Sequence, residues 1–211
     1  MIFQLDERLI FPKPDLAEPD GLLALGGDLS PQRLLLAYSH GIFPWYSDET
    51  PILWYSPHER FVLFPDEVRI TKSMRQVLRS GKFTVTVNRN FADVIEACSA
   101  VPREGQDGTW ITNDMKQAYM ALHQQGHAHS YEVWQQDELV GGLYGVQVGR
   151  VFCGESMFSQ VSNASKTALA AICQSGLYHL IDCQVHTEHL ESMGARFISR
   201  EAYINILQNK S

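Results

Sequence analysis

Three polar side chains stand in runs that otherwise read as apolar strands. Phe152 to Ser159 reads FCGESMFS and carries one carboxylate, Glu155. A lone ion in such a run must give up its water, which is costly unless a partner or a ligand compensates. Leu180 to Val185 reads LIDCQV and carries Asp182 and Gln184. Strand alternation puts Cys153, Glu155 and Met157 on one face, opposite Phe152, Gly154, Ser156 and Phe158. It puts Asp182 and Gln184 on one face and Ile181, Cys183 and Val185 on the other. A carboxylate beside a soft apolar side chain suits a ligand with a positive group next to an apolar one. A glutamine carbonyl oriented by an aspartate suits a hydrogen bond accepted from an amine. Two plainer readings stand beside these: a structural ion pair for Glu155, and an edge strand with a wet face for Asp182 and Gln184.

Other chemistry is less well supported by spacing. His127 and His129, and His186 and His189, are close pairs without a matched carboxylate or Cys at ligand spacing, so no metal is expected. The four cysteines form no C-x-x-C pair and read as reduced thiols packed as small hydrophobes in a cytoplasmic protein. No run approaches the roughly 18 apolar residues of a membrane span. The N-terminal stretch MIFQLDERLIFPKPD has early acids and no apolar core segment, so it does not read as a signal peptide.

The formal net charge is −7, unevenly spread. From Arg69 to Arg89 there are six basic residues and no acid. Lys72, Arg75 and Arg79 fall on one face of a helix by their spacing. A solvated helix face would look this way. The acid-free window on an acidic chain favours a stripe that binds phosphates.

These residues need elements to hold them. The first part of the chain, 1–60, is dense in Pro and Gly, with a helix that starts at Ser30-Pro31 and stops at Gly41, and an aromatic, Pro-broken loop region. It reads as a small α+β domain. The second part, 61–211, runs through helices to three β-like stretches joined by QQDE and VGR, then a helix after Asn163 and the strand LIDCQV. The whole is α+β: a small N-terminal domain, then a GNAT-like acyltransferase domain with a mixed, mainly antiparallel sheet. An acyl-CoA enzyme of that class carries a Gly-rich pyrophosphate loop before its central helix. Here the stretch is SQVSNASKTAL, without glycine, so the acyl donor is expected to be something else.

Long stretches of the chain resemble the bacterial leucyl/phenylalanyl-tRNA–protein transferase family. They include DGLLALGGDLSPQRLLLAYSHGIFPWYS, WYSPHER, GTWIT, GHAHSYEVW, LVGGLYGV, FCGESMFS, NASKTAL and IDCQV, in order and at matching spacing. The resemblance implies transfer of leucine, phenylalanine or methionine from aminoacyl-tRNA to an N-terminal Arg or Lys of an acceptor protein, which marks it for degradation. It implies no cofactor and no membrane partner, and a monomer is expected. By resemblance, Glu155 is an active-site carboxylate, and Asp182 and Gln184 match a proposed catalytic pair. Met157 and Leu169 would line the donor pocket, with Ile172 at a position often aromatic in the family. Trp45 and Trp110 would contact the terminal adenosine of the tRNA, as loop aromatics that stack on bases do. Lys72, Arg75 and Arg79 would hold tRNA phosphates. Two other functions fit the same fold, a GNAT-type N-acyltransferase and a non-catalytic reader of basic N-termini.

Overall fold

The computed structural model describes residues 2–101 and 110–208. A four-stranded sheet comes first, from β1 (Phe3–Leu5), β2 (Leu22–Gly26), β3 (Phe43–Pro44) and β4 (Leu53–Tyr55), in the order β1-β2-β4-β3. Helix α1 (Pro31–Ser39) leads from β2 to β3. Its start follows from two residues. The Ser30 side chain accepts the Arg33 N–H, and Pro31 fills the first helical position, where no N–H is required. Gly41, at φ +72°, takes the left-handed turn that ends it.

A seven-stranded sheet comes next, from β5 (Glu59–Leu63), β6 (Thr84–Val87), β7 (Ala128–Gln135), β8 (Glu138–Val148), β9 (Val151–Ser159), β10 (Leu180–Gln184) and β11 (Arg196–Ser199). Its order is β11-β5-β10-β9-β8-β7-β6. Among the described residues every neighbouring pair is antiparallel except β9 and β10. The expected meander is β7-β8-β9, closed by two-residue turns in which Gln136 and Gly149 take positive φ. Helices α2 (Lys72–Arg79), α3 (Phe91–Ser99) and α4 (Asn113–Gln124) precede the meander. Helix α5 (Ala164–Gln174) carries the chain from β9 to β10, and α6 (Glu188–Ser192) and α7 (Arg200–Gln208) flank β11. The class is α+β with a small N-terminal unit and a mixed, mainly antiparallel sheet, as expected. Asn90 precedes α3 but does not cap its backbone; its amide donates to Asp93 Oδ2 at 2.6 Å.

The large sheet is covered on both faces. One face packs Tyr144, Val146 and Cys153 against Tyr38 of α1, Val94 and Cys98 of α3, and Tyr119 and Leu122 of α4. Leu23, Ala24 and Trp54 of the small sheet belong to the same cluster, so the two sheets share this core. The other face packs Phe61, Leu143, Phe152 and Ile181 under Ala168, Leu169 and Ile172 of α5.

Besides the extra residue Val140 in β8 against β7, two bulges interrupt the large sheet. Strand β9 carries one more residue than β8 between the pairs Gly145–Gly154 and Tyr144–Ser156, and the extra residue is Glu155. Strand β10 likewise carries Cys183 as an extra residue against β5. The first bulge corrects the alternation: Met157 packs with Phe152, and Phe158 packs with Cys153, so Met157 does not share the face of Cys153. Gly145 lets the bulged strand come close. A methyl group there would lie 2.2 Å from the Cys153 carbonyl oxygen and 2.7 Å from the Phe152 ring. Gly145→Ala is therefore expected to destabilise the fold by about 1–3 kcal/mol. The measurement is the urea midpoint at constant slope, and an unchanged midpoint would refute the close-approach role.

Candidate active site

Strands β9 and β10 pair over three residues, from Val151–Leu180 to Cys153–Asp182, and then part. A cavity of about 490 Å³ opens in the wedge, with Gly154 to Met157 along one side and Ile181 to Val185 along the other. The two bulges lie at its apex, so the residues that break strand regularity are the ones that reach into it.

Glu155 is 7% exposed, and its hydrogen-bond partners among the described residues are all neutral. Its Oε2 accepts the Tyr119 hydroxyl at 2.8 Å and its Oε1 accepts Gln184 Nε2 at 2.8 Å. Tyr119 has spent its only proton on Glu155, so Tyr38 must donate to Tyr119 across their 2.5 Å contact. A buried chain thus runs Tyr38, Tyr119, Glu155, Gln184. Burial pushes the Glu155 carboxyl up from its ordinary 4.5 to about 7, and the nearby Tyr38 hydroxyl and the hydrogen bonds from Tyr119 and Gln184 oppose that rise. Burial, reinforced by the Glu155 charge, holds both tyrosines well above their ordinary value, so they remain donors. The ion-pair reading of Glu155 is overturned by these neutral partners.

Gln184 is held in three ways. Its backbone N–H donates to Asp182 Oδ1 at 3.0 Å. Val185 N–H donates to the Cys183 carbonyl at 2.6 Å, which closes a γ-turn around Gln184 at φ +59°. That region is strained for a residue with a Cβ, and strain of this kind collects at functional sites. Its side-chain nitrogen is turned to Glu155, because an ionised carboxylate accepts only donors. The carbonyl oxygen of the amide is thereby left for a ligand.

Asp182 does not meet the Gln184 side chain, and the edge-strand reading fails, because β10 lies between β5 and β9. The carboxylate is fully buried. It accepts Arg60 Nη2 at 2.7 Å, Arg60 Nε at 3.2 Å, the Tyr203 hydroxyl at 2.8 Å and the Gln184 N–H. Burial acts against the Arg60 charge, and Asp182 beside it more than compensates, so the guanidinium is held above its ordinary value. Breaking a buried pair of this type costs about 3–5 kcal/mol.

The cavity walls divide by chemistry. Met157, Leu169 and Ile172 line it together with Leu143 and Phe152, which makes an apolar pocket. Phe43, Trp45 and Trp110 make an aromatic wall. Trp45 is 39% exposed, whereas Trp110 is buried. Lys72, Arg75 and Arg79 do not line the cavity. They stand exposed around a separate depression on α2 with Gln76 and Ser80. Among the described residues, no helix is long and apolar enough to cross a membrane.

Four residues of the site escape a reading by alternation and motif: Arg60, Tyr38, Tyr119 and Tyr203. Arg60 had a readable signal, since it is a charge in the largely apolar strand ERFVL, as Glu155 is in FCGESMFS. The tyrosines sit on helix faces whose other buried members are, Arg33 aside, ordinary core residues, so their hydroxyls give no pattern in sequence.

A family model described as leucyl/phenylalanyl-tRNA protein transferase matches residues 62–208, and the model of that family's N-terminal domain matches residues 27–58. The leucyl/phenylalanyl-tRNA–protein transferase of Flavobacterium johnsoniae is 54% identical over 99% of this chain and 100% of its own length. That of Syntrophobacter fumaroxidans is 57% identical over 98% of this chain and 89% of its own length. With both family models matched in order and relatives this similar over nearly the whole length, the chain belongs to the leucyl/phenylalanyl-tRNA–protein transferase family.

Proposed function

We propose that this enzyme transfers leucine or phenylalanine from aminoacyl-tRNA to the N-terminal amine of an acceptor protein, with the cavity between β9 and β10 as its active site. One observation carries the assignment of the site. An amide carbonyl, its nitrogen pinned to a buried carboxylate, stands beside an apolar pocket and an aromatic wall. The donor's side chain enters between Met157, Leu169 and Ile172. Its terminal adenosine stacks at Trp45 and Trp110. The acceptor amine meets the Gln184 carbonyl and attacks the ester carbon. The nitrogen–carbon bond forms and the bond from that carbon to the ribose oxygen breaks, so the nitrogen loses a proton and the ribose oxygen gains one. An α-amine has a pKa of about 7.7–8.0. The Glu155 carboxyl, near 7, is close enough to take a proton from the arriving ammonium at small cost. Asp182 acts by position, because its oxygens are occupied by Arg60, Tyr203 and the Gln184 N–H. Positioning supplies most of the rate, since the ester is already activated.

The finer reading is that the acceptor begins with Arg or Lys, whose charge Glu155 favours, and that methionine is also a donor. The enzyme works as a monomer in the cytoplasm, where its four free thiols are at home. The chain divides near residue 60 into a small N-terminal domain with aromatic loops and a catalytic domain that also supplies Trp110. The stripe Lys72, Arg75 and Arg79 holds tRNA phosphates.

The direct test mixes the protein with phenylalanyl-tRNA or leucyl-tRNA and a peptide that starts with Arg. The peptide should gain one residue, and no gain after prolonged incubation would overturn the reading. Replacing Lys72, Arg75 and Arg79 together by Ala should weaken tRNA binding and reduce the slope of log affinity against log salt by roughly 0.9 for each phosphate that is no longer neutralised. Transfer from a short aminoacyl-adenosine donor should be unaffected; an unchanged tRNA affinity would remove the stripe from the interface.

Glu155→Gln tests the carboxylate. Its pKa is raised in the folded state, so its contribution to stability is full below about 4.5 and is lost as pH rises through about 7. Across that window the wild-type Tm should fall relative to the Gln variant. The wild-type transfer rate should rise through about pH 7 as Glu155 ionises, and the Gln variant should lack that limb. Parallel Tm curves together with an unchanged rate profile would rule the assignment out.

A further inference from the structure

The Arg60 side chain reaches both substrate-facing walls of the cavity. The residue is 1% exposed, and its guanidinium uses its plane in two directions. Nε and Nη2 donate to Asp182, which in turn holds the Gln184 N–H. Nη1 donates at 3.0 Å to the carbonyl of Gly41, two residues before Phe43. The guanidinium carbon lies 4.7 Å from the Phe43 ring centre and 4.5 Å from that of Tyr203. Tyr203 also donates to Asp182, and its ring approaches the Gly41 backbone so closely that a methyl group there would lie 3.3 Å away. The wall that carries Phe43 and Trp45 is therefore tied to the strand that carries Gln184 through a single planar ion.

We propose that Arg60 is a positioning residue that sets the aromatic wall and Gln184 at a fixed separation, so that a donor seated on one is in register with an amine held by the other. This rests on the transfer reading of the cavity. It assigns to one buried arginine, distant in sequence from Asp182 and Gln184, control over both donor binding and turnover. The residue type is required by the geometry. A lysine keeps the charge for Asp182, but it is a point donor without a planar face. Its single nitrogen cannot reproduce the two-pronged grip on Asp182 with a third, separate nitrogen on the Gly41 carbonyl, and it cannot present a flat face to Phe43.

The chemistry predicts a split between variants. Arg60→Lys should keep turnover at saturating donor within about fivefold of wild type, while affinity for a phenylalanyl-adenosine analogue with an amide in place of the ester falls roughly ten- to a hundredfold. Asp182→Asn should do the reverse, with analogue affinity nearly unchanged and turnover reduced by a similar factor. Arg60→Met should lose both. Binding is read by calorimetry, turnover with aminoacyl-tRNA and an Arg-started peptide, and the folded fraction by the urea midpoint. If Arg60→Met does not fold, the pair Arg60→Lys and Asp182→Asn still decides. The inference is overturned if Arg60→Lys lowers affinity and turnover by the same factor, if both losses follow the folded fraction, or if neither changes. A wild-type protein that neither binds the analogue nor transfers would instead overturn the transfer reading itself.

Discussion

The hydrogen bond from Gln184 Nε2 to Glu155 Oε1 spans the opening between two strands that have stopped pairing. It demands that a carboxylate stay in an apolar wall and that an amide reach it from the opposite strand. Each end is placed by a bulge, and each bulge is held from behind. Behind Glu155 stand Tyr119 and Tyr38, which substitute for the lost water on one oxygen. Behind Gln184 stands Asp182, whose charge is answered by Arg60 and Tyr203. The site is therefore two back-to-back polar networks with a single bond between them, set between the two apolar clusters that cover the sheet.

The small N-terminal sheet is part of this arrangement. Tyr38 comes from α1, and the Gly41 carbonyl that receives Arg60 lies just beyond the end of that helix. Leu23 and Trp54 pack in the same cluster as Val146 and Cys153 of the large sheet. A core shared in this way fixes the aromatic wall against the catalytic strand more firmly than a flexible linker between independent domains could.

Much of the site is legible in the sequence because polar residues in apolar strands are conspicuous. Glu155, Asp182 and Gln184 stand out by this rule, and the structure gathers all three at one cavity with Met157, Leu169, Ile172, Trp45 and Trp110. The meander and the cap at Ser30 are legible for local reasons, since turn and cap chemistry act over a few residues. The faces are not. Alternation presumes one residue per step, and an inserted bulge residue leaves no mark in composition, so alternation sets Met157 beside Cys153 whereas it packs with Phe152. The partners of Asp182 are hidden for another reason: Arg60 and Tyr203 lie 122 and 21 residues away, and only tertiary packing brings them to it.

The left-handed backbone at Gln184 has a consequence for how this sequence can change. A backbone at φ +59° is easiest for glycine, and asparagine tolerates it better than glutamine does. Neither substitute reaches Glu155 in the same way, since glycine has no side chain and asparagine is one methylene shorter. The residue that the local fold would select is thus one that the chemistry cannot use. Glycine would relieve the backbone but leave the buried Glu155 Oε1 without its donor, a loss of about 1–3 kcal/mol, so stability and chemistry together hold glutamine at this position.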